Sequence, residues 1–301
     1  MAKALVSALI VLSLVVISLK SFGADRTKLR YLTAIYFDEK GVGLKQPEGV
    51  ACNDRSLIVG DSGNDRLLRF ALEEENLKPA GEIRASQLSN PIRVQLNSRG
   101  EVFALDGKAR RIARFGPGGE FRDYVSPEGI PFPASFVPRS FKIDRNDYMY
   151  ILDIFSARVL VVSPEGKYQR HLEFPKGSGF FSDLAVDFKG TIFLLDSVKA
   201  MVSVAAKDSK GFSPLTKSLR EHLSFPTYIT TDSRGVLFVV DENGSGIVIL
   251  GQDGSFLGRQ LTMGWKEGLL YYPSQMCINE KDDLFIADRG NNRVEVFSTV
   301  K

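Results

Sequence analysis

Residues 284–288 read Leu-Phe-Ile-Ala-Asp288, an apolar run closed by an aspartate, and five further segments of the chain repeat that pattern. They are Leu-Ile-Val-Gly-Asp61, Val-Phe-Ala-Leu-Asp106, Met-Tyr-Ile-Leu-Asp153, Ile-Phe-Leu-Leu-Asp196 and Leu-Phe-Val-Val-Asp241. Successive aspartates lie 45, 47, 43, 45 and 47 residues apart, and chance does not hold such a spacing through five intervals.

Other positions keep the register. Nine residues before each Asp, or eight in the first repeat, stands Asn53, Asn97, Asp144, Asp187, Asp232 or Asn279. Asn and Asp side chains bond the backbone two residues on and close tight turns, so each should join two short strands into a hairpin. Pro47, Pro91, Pro138, Pro226 and Pro273 open five repeats and Phe181 opens the fourth; proline suits a first strand position, where no ladder donor is needed. A third apolar strand and a more polar fourth follow, as in Tyr168–Phe174 and Ser255–Leu261. Four strands per repeat of about 45 residues form a propeller blade. The expected fold is all-β, a six-bladed β-propeller of four-stranded blades. The last repeat stops after three strands, and residues 28–37 precede the first proline with no repeat of their own. That segment is expected to supply the missing outer strand of blade 6 and close the ring.

At this point the residues resemble the NHL-repeat family. Asp61-Ser-Gly-Asn-Asp-Arg66 and Asp288-Arg-Gly-Asn-Asn-Arg293 are close to its Asp-Ser-Gly-Asn-Asn-Arg signature, and Pro47-Glu-Gly-Val-Ala51 to its Pro-x-Gly-Val-Ala opening. The resemblance spans roughly residues 28–301 and weakens in blade 4, where Met201 replaces the arginine. It implies a six-bladed propeller, and many such proteins bind other macromolecules.

Residues 4–19 are an uncharged apolar run after Lys3, with small residues at Ser21 and Gly23. This is the layout of a secretory signal, so residues 1–23 are read as a signal peptide or an uncleaved anchor and 24–301 as one exported propeller domain, periplasmic, secreted or at the cell surface. The segment carries Lys3 and Lys20 and no acid, so the mature charge falls from +3 to about +1 (+3 minus 2). Nucleic-acid binding loses its support. A membrane partner is expected only if the segment is retained.

The six aspartates read as turn caps that fix their own blades, and Arg66, Arg111, Arg158 and Arg293, each five residues later, as their ion-pair partners. Cys52 and Cys277 lie on the first strands of blades 1 and 6, neighbours once the ring closes. They either bridge across the seam or remain two buried thiols. A histidine-rich zinc centre is not expected from His171 and His222 alone. Calcium in a lactonase-like propeller needs oxygen ligands at the inner strand starts, and Gly49, Arg93, Ser140, Asp183, Tyr228 and Gln275 there form a poor cage. No nucleophile elbow or phosphate loop appears in a credible context.

No cofactor or catalytic residue is therefore assigned. The expected function is a non-enzymatic scaffold binding a protein or peptide through its loop-rich face, with Arg93, Arg139, Asp183, Tyr228, Trp265, Tyr271 and Gln275 around a polar mouth. The aromatics could instead plug gaps between blades. The alternatives are a metal-assisted lyase or lactonase-like enzyme with a site around Asp183, or an extracytoplasmic sensor.

Overall fold

The computed structural model describes residues 28–73 and 76–300, so residues 1–23, read from the sequence as a signal peptide or anchor, lie outside the described residues. Six four-stranded antiparallel sheets follow one another around an axis. Blade 2 is representative, with strands Pro91–Leu96, Val102–Asp106, Arg111–Phe115 and Phe121–Tyr124 from the axis outward. Second strands such as Val102–Asp106 and Leu237–Asp241 are buried along their whole length, because neighbouring blades cover both faces. Outer strands alternate or lie exposed. Buried apolar clusters fill each junction between neighbouring blades, for example Ile229, Val239 and Val248 against Ala185 and Leu195 between blades 4 and 5.

The turns follow the chemistry read from the sequence. Asn97 Oδ1 accepts the amides of Arg99 and Glu101, and Asp187 Oδ1 those of Lys189 and Thr191. Gly100 and Gly190 occupy the left-handed region that closes these turns, with φ of 75° and 79°.

Lys28–Ile35 pairs antiparallel with Arg293–Val300, from Lys28 opposite Val300 to Ile35 opposite Val294, and completes blade 6. Cys52 and Cys277 are bridged beside that seam, with Cα atoms 5.9 Å apart and a sequence separation of 225. Cross-linking so long a loop restricts the unfolded chain. Reduction, or the double change Cys52→Ser with Cys277→Ser, should cost about 2–5 kcal/mol, read as a lower denaturant midpoint.

A second feature of blade 6 is titratable. Glu295 is fully buried; its Oε1 accepts from Arg293 Nη2 at 2.6 Å and Gly268 N at 3.1 Å, while Oε2 has no partner. Burial pushes its carboxyl up to about 7, against an opposing pull from Arg293. A carboxyl raised on folding favours the protonated native state, so its contribution weakens as pH climbs from its ordinary 4.5 towards 7 and then levels off. Glu295→Gln should flatten the stability curve across that window, which melting temperatures at successive pH values would show.

Candidate functional site at the axial mouth

Each aspartate that ends a second strand turns out to be a latch. Asp153 Oδ1 accepts the amides of Val137 and Phe155, Asp196 those of Gly179, Phe180 and Val198, and Asp241 those of Ser224 and Phe225. One carboxylate thereby ties the connection entering its blade to the turn between second and third strands. Both loops are held on one face of the ring, here called the entry face.

Three of the four expected arginine pairs form: Arg66–Asp61, Arg158–Asp153 and Arg293–Asp288, at 2.7, 3.0 and 2.9 Å. Arg111 is the exception. It is exposed and lies over the Tyr124 ring at 5.3 Å, because Asp106 is already satisfied by Ser89, Lys108 and Ala109. Blade 5 has Gly246 at the arginine position. Arg259 of the outer strand supplies the cation instead, 2.8 Å from Asp241, in space that a side chain at Gly246 would occupy.

The expected binding residues separate into three places. Arg93, Asp183, Tyr228 and Gln275 are buried in a plug across the axis. Gln275, from blade 6, bonds Val94 N and O of blade 2 at 3.1 and 2.9 Å, past Gly49, which has no side chain to block Val94. Arg93 Nη2 reaches Thr227 O of blade 5 at 3.4 Å. Lys142 Nζ sits 3.6 Å above the Tyr228 ring and 3.6 Å from Asp183 Oδ2. Covered in this way, Tyr228 has no face to offer a partner.

Asp183 Oδ1 accepts the Ser140 hydroxyl and Oδ2 the Ile229 amide at 2.8 Å. The one carboxylate at the inner strand starts is thus engaged by a hydroxyl, an amide and an ammonium, and its neighbours include Arg93 and Gly49. These residues do not fit a divalent cation. Among the described residues, no three His, Cys, Asp or Glu side chains converge as ligands.

Trp265 and Tyr271 stand farther out. Trp265 is 74% exposed, its ring 5.9 Å from that of Tyr271, which lies 4.6 Å from Tyr272. Arg293 pins this loop through the carbonyls of Trp265, Lys266 and Leu269.

Arg139 alone of the expected set is half-buried at the mouth above the plug, within electrostatic reach of Glu48 and of Glu242, the partner of Arg289, three charged residues that the sequence does not single out. Arg289 Nη2 donates to Glu242 Oε1 at 2.5 Å. Ser274 Oγ links the cluster downward, bonding Glu48 O at 2.9 Å and Arg93 Nη1 at 3.4 Å. Burial pushes the Glu48 carboxyl above its ordinary value and Glu242 adds to this, while Arg289, Arg93 and Arg139 oppose it. Burial and the charge of Arg93 pull the Arg139 guanidinium down. The buried Nε atoms of Arg93 and Arg139 have no hydrogen-bond partner. Three arginines against two glutamates leave the ionised mouth at +1 (3 minus 2). Clustered arginine charge and a perturbed carboxyl in one place mark a candidate site for an anion or a polarised carbonyl.

Hollows also lie elsewhere, among them one of about 650 Å³ at the seam of blades 6 and 1. One of about 620 Å³ opens at the opposite end of the axis and includes Asn53, Asp144, Asp187, Asp232 and Asn279, whose Oδ1 atoms are committed to their turns. Another of about 520 Å³ lies between blades 2 and 3.

The chain is a six-bladed β-propeller that carries an NHL repeat. The NHL repeat family matches residues 270–297, the body of blade 6, and supports the resemblance read from the motifs. A search of the curated proteins finds no sequence match. Among solved structures, the chain is similar to a gluconolactonase from Xanthomonas campestris, at 14% identity and a TM-score of 0.66 over 92% of this chain and 96% of that one. It is similar to virginiamycin B lyase from Staphylococcus aureus solved with quinupristin, at 14% and 0.63 over 91% and 100%. It is also similar to an aldose sugar dehydrogenase from Streptomyces coelicolor, at 15% and 0.59 over 91% and 98%.

These three are enzymes, which corrects the expectation of a non-enzymatic scaffold. That expectation rested on missing linear motifs, but a propeller gathers its site from separate blades and leaves no contiguous motif. At such identities the likeness establishes the architecture, and the chemistry has to be argued from this chain's own residues.

Proposed function

We propose that the chain is a lactonase- or lyase-like propeller enzyme whose reactive site is the entry-face mouth. The observation that carries this is the Glu48 carboxyl, raised by burial, within the electrostatic reach of Arg289, Arg93 and Arg139. Glu48 is the acid–base group, and Arg139, with the buried charge of Arg93 behind it, holds the carbonyl oxygen of a cyclic ester.

In ring opening by water, Glu48 takes a proton from the attacking water as the new C–O bond forms. The arginines stabilise the resulting oxyanion. Collapse breaks the ring C–O bond, and Glu48 returns the proton to the leaving alkoxide, so the product is a hydroxy acid. No step is routed through a metal, because the donors at the inner strand starts do not fit one. Arg289 and Glu242 tune the charge of Glu48, the first lowering and the second raising its carboxyl. The targeting segment read at residues 1–23 would place this activity outside the cytoplasm, where the Cys52–Cys277 bridge is at home.

The test is turnover of a panel of γ- and δ-lactones, followed by proton release, in the wild type and in Glu48→Gln. Ring opening that depends on Glu48 supports the assignment; a panel left intact by the wild type overturns it.

A further inference from the structure

We propose that the substrate carries an extended apolar substituent, an acyl chain, which lies along a crescent of exposed side chains on blades 3, 4 and 5; this rests on reading the mouth as the reactive site. Among the described residues, apart from Leu32, Phe188, Phe256 and Val300, the exposed large apolar side chains belong to entry-face loops, six of them on blades 3 to 5, four on the loops into blades 1 and 6, and none on blade 2. They are not spread evenly around that face. At the two turn positions after the latch aspartate, blades 1, 2 and 6 carry Ser62-Gly63, Gly107-Lys108 and Arg289-Gly290, whereas blade 3 carries Ile154-Phe155 and blade 4 Ser197-Val198. Just before the first strand, blades 1 and 2 have Gln46 and Asn90, and blades 3, 4, 5 and 6 have Val137, Phe180, Phe225 and Tyr272.

The crescent is built, not left over. The amides of Phe155, Phe180, Val198 and Phe225 all donate to the latch carboxylates of their own blades, at 2.7–3.2 Å, so the platform is pre-organised. Phe155 is 61% exposed, and Phe132, in the long connection into blade 3, is 97% exposed. Large apolar side chains on display in such an arc mark a ligand surface.

Arg139 joins this platform to the mouth, its guanidinium 5.5 Å from the Phe180 ring centroid. A ligand with its carboxyl or lactone carbonyl at Arg139 therefore runs its apolar part outward over Phe180. An arc spanning three blades suits a flexible chain better than a single flat ring, which one pair of side chains would satisfy. The net charge of +1 at the mouth complements a carboxyl head.

Two series of probes test this with the intact chain. Affinities of saturated straight-chain carboxylates, measured by calorimetry, need no turnover. They should tighten about two- to fourfold per added methylene. Phe155→Ser and Phe132→Ser change exposed positions and leave the fold intact; they should remove most of that increment for long chains and spare short ones. The same pattern should appear in kcat/KM across lactones of increasing side-chain length.

Affinity independent of chain length, or equal losses for short and long ligands, would overturn the crescent. So would a wild type that ignores soluble carboxylates yet binds phosphatidylcholine vesicles in a Phe155-dependent way, which would make the face a membrane surface. Length-dependent carboxylate binding without lactone turnover would sustain the crescent and reject the enzymatic reading.

Discussion

Replacing Glu48 by glutamine lowers the rate of lactone opening by about 10²–10⁴-fold while melting temperature and ligand affinity stay close to wild type; this range is what one positioned acid–base group contributes. Glutamine keeps the shape and hydrogen-bonding reach of the side chain and removes the titration. The wild-type rate should rise with pH through an apparent pKa above the ordinary glutamate value, because burial disfavours the charged carboxylate. Arg139 opposes that shift, so Arg139→Gln should move the rising limb to still higher pH besides weakening carboxylate binding. A role confined to packing would leave the limb in place. Unchanged turnover in Glu48→Gln would remove the residue from the chemistry.

Arg66→Ala is expected to destabilise the propeller by about 3–5 kcal/mol, whereas Arg111→Ala, at the same register position one blade on, should cost about 1 kcal/mol or less. Arg66 is buried and meets Asp61 at 2.7 Å, Asp38 at 2.5 Å and Glu82 at 3.0 Å. Its removal strands Asp61 and Asp38 in a site with little water, and it frees the connection that ties the N-terminal strand to blade 1. Arg111 is exposed, and its loss abandons only a ring contact with Tyr124. Paired denaturant titrations would check the contrast. Equal costs for the two would mean that register, not burial, sets the value of these arginines.

The latch role of the six aspartates was legible because it is local. Each carboxylate bonds amides within its own blade, and the sequence repeats that unit six times. The failure at Arg111 was not legible. Whether a carboxylate still needs a cation depends on how many loop amides reach it, and Ser89 had already supplied both an amide and a hydroxyl to Asp106. Tyr228 looked like a surface anchor from its place before a strand interior. The ring closes over it with Lys142 from blade 3 and Arg93 from blade 2. Glu48 and Arg289 stood inside quoted motifs with no role of their own, and nothing in the sequence singled out Glu242.

Blade count, strand order within each blade, turn chemistry and the closure of blade 6 by residues 28–35 all follow from residues close in the chain or from a period that the eye can count. The candidate site follows from neither. Glu48, Arg93, Arg139, Glu242 and Arg289 come from five blades, and their charges matter to one another only because the axis brings them together and takes away their water. Burial and cross-axis proximity leave no trace in a linear pattern, since each blade contributes a single unremarkable residue to them.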